Sequence, residues 1–241
     1  MNPKKATLVI ILCFLFFWTS ISFAEINEVD SNFDGKIDQW QHLGADGKVT
    51  KIEHDGNFDG KVDQVEHFTG NKKLKRVEFD RNNDGNMDHF QIYNDAGKMT
   101  RVEKSSKQNG KIDWKEFYSD DKKLQRIQLD DDGDGKFETS QIYNSSEQLV
   151  EIEGDGNGDG KVDRWSKFQS DQLQYTAFDT TGSGKPDQWQ HYDSGQNLAK
   201  AEYDTNNDGK ADRWEYFNGG KLAKIELDRN FDGKVDMTQK K

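Results

Sequence analysis

Short runs rich in Val, Ile, Phe, Tyr and Trp, interleaved with polar residues, recur along almost the whole chain. Lys161-Val162-Asp163-Arg164-Trp165-Ser166-Lys167-Phe168 and Leu222-Ala223-Lys224-Ile225-Glu226-Leu227 typify the two kinds of run. Between them stands a turn such as Ala45-Asp46-Gly47-Lys48 or Asn218-Gly219-Gly220-Lys221. Aromatic and β-branched runs parted by a Gly- or Asn-bearing turn are strand and hairpin signals. The pattern predicts an all-β protein of tandem β-hairpins, laid out as an extended or coiled antiparallel meander.

A nine-residue segment joins each hairpin to the next. Its first copy is Asp30-Ser31-Asn32-Phe33-Asp34-Gly35-Lys36-Ile37-Asp38, and it begins again at Asp55, Asp80, Asp130, Asp155, Asp204 and Asp228, with degenerate copies at Ser105 and Asp179. Starts lie 24 or 25 residues apart, with no linker between them. Residues 25–241 therefore read as one domain of nine repeats, the last truncated. All nonapeptides should fall along one edge of the sheet, and two strands at ~4.8 Å each would set neighbours ~10 Å apart. Position 11 from each start carries Trp40, Val65, Phe90, Trp165, Trp189 and Trp214, with Trp114 displaced by one. Side chains alternate faces along a strand, so these residues make an aromatic stripe on one face. With so few apolar residues available, the stripe is expected to be core, formed where the sheet coils on itself or packs across a closed array. The competing reading is a surface on which sugars or polymers stack.

The nonapeptide carries the chemistry. Position 1 is Asp30, Asp55, Asp80, Asp130, Asp155, Asp204 and Asp228 in the seven well-formed copies; position 3 is Asn32, Asn57, Asn82, Asp132, Asn157, Asn206 and Asn230. Position 5 is Asp34, Asp59, Asp84, Asp134, Asp159, Asp208 and Asp232, and position 9 is Asp38, Asp63, Asp88, Glu138, Asp163, Asp212 and Asp236. Position 7 (Lys36, Lys61, Asn86, Lys136, Lys161, Lys210 and Lys234) would add a backbone carbonyl, and Gly at position 6 permits the sharp turn that wraps chain around a cation. Turns need Gly and Asx but not three carboxylates in nine residues, which repel one another when nothing neutralises them. Oxygen ligands in a roomy loop, without His or Cys, select calcium over magnesium or a transition metal. In the fourth copy Ser105, Lys107 and Asn109 replace the first three ligands. In the seventh, Thr181 and Ser183 leave only Asp179 and Asp187. The fourth should be empty and the seventh weak.

These loops resemble the DxDxDG calcium loop of EF-hands and of thrombospondin type 3 repeats. The resemblance implies calcium coordination and covers only the nine residues of each unit. An EF-hand needs two flanking helices and a bidentate Glu at position 12; here position 12 is usually Gln or Ser, and only about sixteen residues part successive loops. Thrombospondin repeats carry disulfides, and this chain has 1 Cys. Neither fold transfers, and position 9 is expected to supply the closing carboxylate.

Charge and composition narrow the function. There are 45 Asp and Glu against 34 Lys and Arg, and only 32% of residues are hydrophobic. An acidic chain repels phosphate backbones, which argues against a nucleic-acid partner. Lys4 and Lys5, the apolar run 6–18 and Ser22-Phe23-Ala24 have the make-up of a secretory signal peptide cleaved after Ala24, so the mature protein is expected to be secreted or periplasmic and not membrane-spanning. Cleavage removes Cys13. His42, His54, His67, His89 and His191 stand beside no nucleophile, and no phosphate-cradling Gly-rich loop is present, so no enzyme is expected. The expected function is that of an exported calcium-binding repeat protein with a structural or adhesive role, calcium stabilising the fold. Alternatives are a carbohydrate- or surface-polymer-binding module that uses the aromatic stripe, and a calcium buffer or sensor; the partners expected besides calcium are an extracellular polysaccharide or another protein.

Overall fold

A computed structural model describes residues 25–70 and 72–241; the segment assigned to the signal peptide lies outside the described residues. Eighteen strands follow one another: β1 Glu25–Val29, β2 Gln39–Leu43, β3 Val49–His54, β4 Gln64–Phe68, β5 Leu74–Phe79 and β6 His89–Tyr93. Next come β7 Met99–Lys104, β8 Trp114–Tyr118, β9 Leu124–Leu129, β10 Thr139–Tyr143, β11 Leu149–Gly154 and β12 Arg164–Gln169. The last are β13 Gln172–Phe178, β14 Gln188–Tyr192, β15 Leu198–Tyr203, β16 Arg213–Asn218, β17 Lys221–Leu227 and β18 Met237–Lys240. Each strand pairs antiparallel with its neighbours in the chain, from β1–β2 to β17–β18. The result is one open sheet, a hairpin meander. Hairpin turns line one of its long edges and the nonapeptide loops line the other.

Turn chemistry explains the uneven period. Most hairpins resemble the one at 44–48, where Gly44 accepts from Gly47 at 2.9 Å, Gly47 is left-handed (φ 71) and the register then slips by one at His42/Leu43. That is a three-residue turn closed by a bulge. In two hairpins the loop is instead two residues, both left-handed: Ser170-Asp171 and Gly219-Gly220. These are type I′ geometries. They belong to the units starting at Asp155 and Asp204, which are the ones one residue shorter than the rest.

The strand register makes two rows along the middle of the sheet. On one face the row runs Trp40, Glu53, Val65, Glu78, Phe90, Glu103 and onward to Trp165, Ala177, Trp189, Glu202, Trp214 and Glu226. The aromatic stripe is thus real, but Glu or a smaller residue stands between successive rings. Trp114 lies on the opposite face, where its indole donates to Glu116 at 2.9 Å. That face carries Gln41, Ile52, Glu66, Val77, Gln91, Val102, Glu116 and Ile127, so position 12 forms a Gln/Glu row alternating with β-branched residues.

Among the described residues no second layer covers either face. Every packed pair of strands consists of chain neighbours, and no hydrogen bond among the described residues spans more than 26 positions. Buried apolar side chains are accordingly few and lie on both faces: Val77, Val102, Ile127 and Ala201 on one, Val65, Phe90 and Ala177 on the other. Trp40, Trp165, Trp189 and Trp214 are each only half-buried. The expectation that the stripe is enclosed core therefore fails on geometry: the sheet neither closes nor folds back on the stripe. Polar stems do the covering, for example Glu78, held by Arg76 and His67 at 3.0 Å each, and Glu53, held by Lys51 at 2.7 Å and His42 at 2.5 Å. Long side chains can shield apolar surface in this way while their charges stay wet.

Because the core is spread thinly, one central residue should matter locally. Ile127→Ala is expected to cost about 2–4 kcal/mol in denaturant unfolding. Arg126→Ala, exposed and one position away, should stay within about 0.5 kcal/mol. Equal effects would show that the row of β-branched residues is not the core.

Candidate metal centres

Each loop folds around its own acids by a repeated set of backbone contacts. In the loop 30–38, Asp30 accepts from the Gly35 amide at 2.8 Å, Asn32 Oδ1 from Asp34 at 2.9 Å, Asp34 from Lys36 at 2.9 Å, and Asp38 from Ser31 at 2.9 Å. The same contacts recur at 55–63, 80–88, 155–163, 204–212 and 228–236, with small variations. The carboxylates thereby turn inward: at position 1 backbone amides engage both oxygens, as those of Asp34 and Gly35 do for Asp30, whereas at position 5 a backbone amide engages one, as that of Lys36 does for Asp34. In the Asn-bearing loops at 30, 55, 80 and 204 the Asn Nδ2 donates to the position-5 carboxylate, at 3.0 Å for Asn82 and Asp84.

Burial sharpens the electrostatics. Position 1 (Asp55, Asp80, Asp130, Asp204, Asp228) and position 9 (Asp38, Asp88, Asp212) are buried. The two are also chained: the amide of position 1 donates to the carbonyl of the preceding position 9, Asp55 to Asp38, Asp80 to Asp63, and so on to Asp228 and Asp212 at 2.8 Å. A row of acids therefore runs along the loop edge, interrupted at Ser105. Burial pushes the Asp38 carboxyl up, yet the amides and hydroxyl of Ser31 and the amide of Asn32 outweigh it and hold the group below its usual range. The Lys36-equivalent amide and ammonium of Lys136 hold Asp134 down in the same sense. His89, beside this row, is pushed down to about 4, by burial first and then by Arg81 and Lys104.

The fifth loop is the tightest. Asp130, Asp132, Asp134 and Glu138 each offer a ligand oxygen, all within 4.8 Å of one another, a set that can hold a metal ion. Among the described residues no other group of three acids converges so closely. Two substitutions account for it. Asp132 stands where the other well-formed loops have Asn, and Glu138 has a longer arm than Asp at position 9. Asp63 binds the amides of both Gly56 and Asn57, at 2.9 and 3.0 Å, and so sits back against the loop start. Glu138 takes one such bond, from Asp131 at 3.1 Å. Asp at position 9 is thus placed first as a brace of the loop.

The degenerate loops satisfy themselves with local donors. In the seventh, the Thr181 hydroxyl and the Ser183 amide both donate to Asp179 at 3.1 Å, while Thr180 caps Asp187 at 2.9 Å. In the fourth, Lys107 does not fill its own loop: its ammonium donates to the Asp131 carbonyl of the fifth loop at 3.0 Å, and Lys111 reaches the Gly133 carbonyl at 3.2 Å.

Sequence reading missed position 4. There Phe33, Phe58, Asn83, Gln108, Asn207 and Phe231 all adopt positive φ, near 60°, two residues before the glycine of position 6 (φ 90 for Gly35). The signal was available, since Gly133, Gly158 and Gly182 fill the same position in other loops. A bulky L-residue there costs roughly 1–2 kcal/mol, and Phe33 is 90% exposed, with almost no burial to offset the cost.

No family model matches the chain, and no curated protein does. Among solved structures it is similar to the GtfA/B complex bound to UDP and GlcNAc, at 14% identity over 55% of this chain and 24% of that one, TM-score 0.25. It is also similar to TcdB2-TccC3, at 11% identity over 82% of this chain and 13% of that one, TM-score 0.23. The chain thus spans less than a quarter of the length of these proteins, and likenesses this slight carry no argument about function.

The loop geometry makes the same left-handed demand two residues apart, which Phe33 meets at a cost and Gly35 freely. Phe33→Gly should raise stability by about 1 kcal/mol by relieving the left-handed phenylalanine, and Gly35→Ala should lower it by about 1–2 kcal/mol. Thermal melts of both variants check this. A destabilised Phe33→Gly would mean that the ring makes a contact worth more than its strain.

Proposed function

We propose that the protein is an exported calcium-binding repeat protein with a structural or adhesive role, its leader cleaved after Ala24 and its fold stabilised by calcium. The observation that carries this reading is the buried acid row. Carboxylates gathered in one short loop repel one another unless their charge is compensated, and backbone amides, although they reach both oxygens of the position-1 acids, carry only partial charges. In the loop 130–138 four acid oxygens converge, and the Lys136 ammonium is shared between Asp134 of its own loop, at 3.4 Å, and the Gly158 carbonyl of the next, at 3.1 Å. A divalent cation in each well-formed loop answers that demand. Hard oxygen donors, with Asn amide and backbone oxygens beside carboxylates, match calcium, which tolerates irregular coordination better than magnesium. Asp130, Asp132, Asp134 and Glu138 would hold the tightest ion, with four carboxylates; the loops at 30, 55, 80, 155, 204 and 228 would each use three and an Asn oxygen.

Chelation tests the reading directly. Calcium should fold or compact the chain, and EDTA should lower its melting temperature sharply and alter the far-UV circular dichroism. Native mass spectrometry should count about seven calcium ions. Asp159→Ala should remove one and Asn109→Ala none, while Asp132→Asn should weaken the first ion to bind. A melt unchanged by EDTA would overturn the proposal.

The half-exposed aromatic row supports a second reading, an extracellular polysaccharide stacking on Trp165, Trp189 and Trp214. These rings stand two strands apart, ~10 Å, on a face that no layer covers. The triple Trp→Ala variant should then lose retention on a polysaccharide column and keep most of its stability; retention by the variant would dismiss this reading.

A further inference from the structure

Among the described residues β1 and β18 are the two strands with a single partner. Their places in the repeat are complementary. β18 follows a loop, as β2, β4 and β16 do, and each of those pairs next with a strand lying before a loop. β1 is a strand of that second kind, lying before the loop 30–38. The amide of Asp38 donates to the Val29 carbonyl, so Val29 turns its backbone toward β2. In an antiparallel ladder alternate residues face opposite sides, which leaves Glu28 and Ile26 facing outward.

Side chains at the two ends complement one another as well. β1 carries Glu25 and Glu28 and no cation, whereas β18 and the residue after it carry Lys240 and Lys241 and no acid. Five of the six large apolar side chains left exposed belong to these ends or the loops beside them: Ile26, Phe33 and Ile37 at one, Phe231 and Val235 at the other. Between the first two loops, Ile37 and Phe58 line a cavity of 140 Å³. Val235 and Phe33 hold the same two positions, 8 and 4, in the last loop and the first. The loop ladder likewise begins at the Asp30 amide and stops at the Asp236 carbonyl.

We propose that a second copy of this chain docks head to tail, its β1 pairing with β18 so that the meander continues across the junction. The register of the other hairpins sets Met237 opposite Val29, Thr238 opposite Glu28, Gln239 opposite Asn27 and Lys240 opposite Ile26 of the second copy. Lys240 then lies diagonal to Glu28, within reach of a long side chain, and Lys241 extends toward Glu25, the position that the other hairpins leave in a bulge. Val235 meets Phe33 and rebuilds the cavity seen between the first two loops, and the Asp30 amide donates to the Asp236 carbonyl. Charge allows this pairing and opposes the others. Two β18 edges would set lysines against lysines and two β1 edges glutamates against glutamates, a repulsion of the kind that protects exposed edges. Such a contact is heterologous and does not close, so chains add one after another.

The proposal rests on cleavage after Ala24 and on an exported chain that ends at Lys241, and the mass of the exported protein tests both by itself. Protein from Glu25 onward, with calcium in excess, should show a sedimentation mass that grows with concentration through dimer and trimer and falls with added salt. Glu25→Lys with Glu28→Lys, or Lys240→Glu with Lys241→Glu, should each weaken association about tenfold or more, as like charges then face each other. An equal mixture of the two double variants should associate again. Ile26→Pro keeps every charge and removes an outward amide, and should also abolish growth while circular dichroism stays native. A folded monomer at the highest attainable concentration, or a closed dimer indifferent to these changes, would overturn the docking and leave the calcium reading standing. A chain that associates but ignores calcium would overturn only the latter.

Discussion

The crowding of carboxylates along one edge of the sheet is the constraint on which the rest of the structure depends. The meander brings position 1 of each loop against position 9 of the one before, and a backbone hydrogen bond locks the two together at every junction. Acids that could relax apart in a free turn are held there by the strands. Each loop must therefore neutralise its charge within its own nine residues or borrow from a neighbour. Amides of positions 5, 6 and 7 give a partial answer, and the αL geometry of positions 4 and 6 exists to aim them. Where the charge is deleted, the pressure visibly eases: Thr181 and Ser183 satisfy Asp179 with hydroxyl and amide donors. The fourth loop, with Ser105 and Asn109 for acids, has ammonium groups to spare, and spends Lys107 and Lys111 on carbonyls of the fifth.

The sheet accommodates this edge by being thin. A compact two-layer core would need the apolar content that the chain lacks, with 32% hydrophobic residues. A single layer needs only enough to fill one central row on each face, with Glu, Gln, Lys and Arg stems covering the gaps. Contacts reach no further than the neighbouring unit, so stability is a sum of local terms, as in other repeat arrays. Individual ion pairs on such a surface contribute little. Their recurrence at Glu53, Glu78, Glu103, Glu202 and Glu226 of the aromatic row matters more for register than for energy, since a one-residue slip would carry each Glu to the wrong face.

Much of this was legible in the sequence because repetition multiplies a weak signal. Gly219-Gly220 and the aromatic runs beside it announce a hairpin, and nine spaced nonapeptides leave no room for helices. The alternation that put Trp40, Trp165, Trp189 and Trp214 on one face held. What covers that face was not legible, because amphipathic stems such as Glu78 and Glu202 look the same in sequence whether they border solvent or core. The strain at position 4 was legible only by comparing copies: Gly133, Gly158 and Gly182 mark the position as left-handed, whereas Phe33 by itself does not. Nor did the spacing show that Glu138 reaches where Asp63 braces, a difference of one methylene that only the loop's geometry converts into a role.

The placing of the degenerate loops follows from the same one-dimensional logic. In an array coupled only to nearest neighbours, a long run of units that all require the same cation would loosen together when the cation is scarce. The loops at Ser105 and Asp179 carry their own donors and make no such demand. They divide the array into runs of three, two and two loops that, on the calcium reading, depend on metal. Each run abuts at least one unit that stands without it. The best-formed acid set, at 130–138, lies directly after such a unit and is braced by its lysines, so it is pre-organised before any ion arrives. Refilling could then spread outward from the two self-sufficient loops, one neighbour at a time. A sequence of nine identical loops would lack these fixed points, and the apparent defects at Lys107 and Thr181 are better read as the places where the sheet keeps its register when charge alone would pull it open.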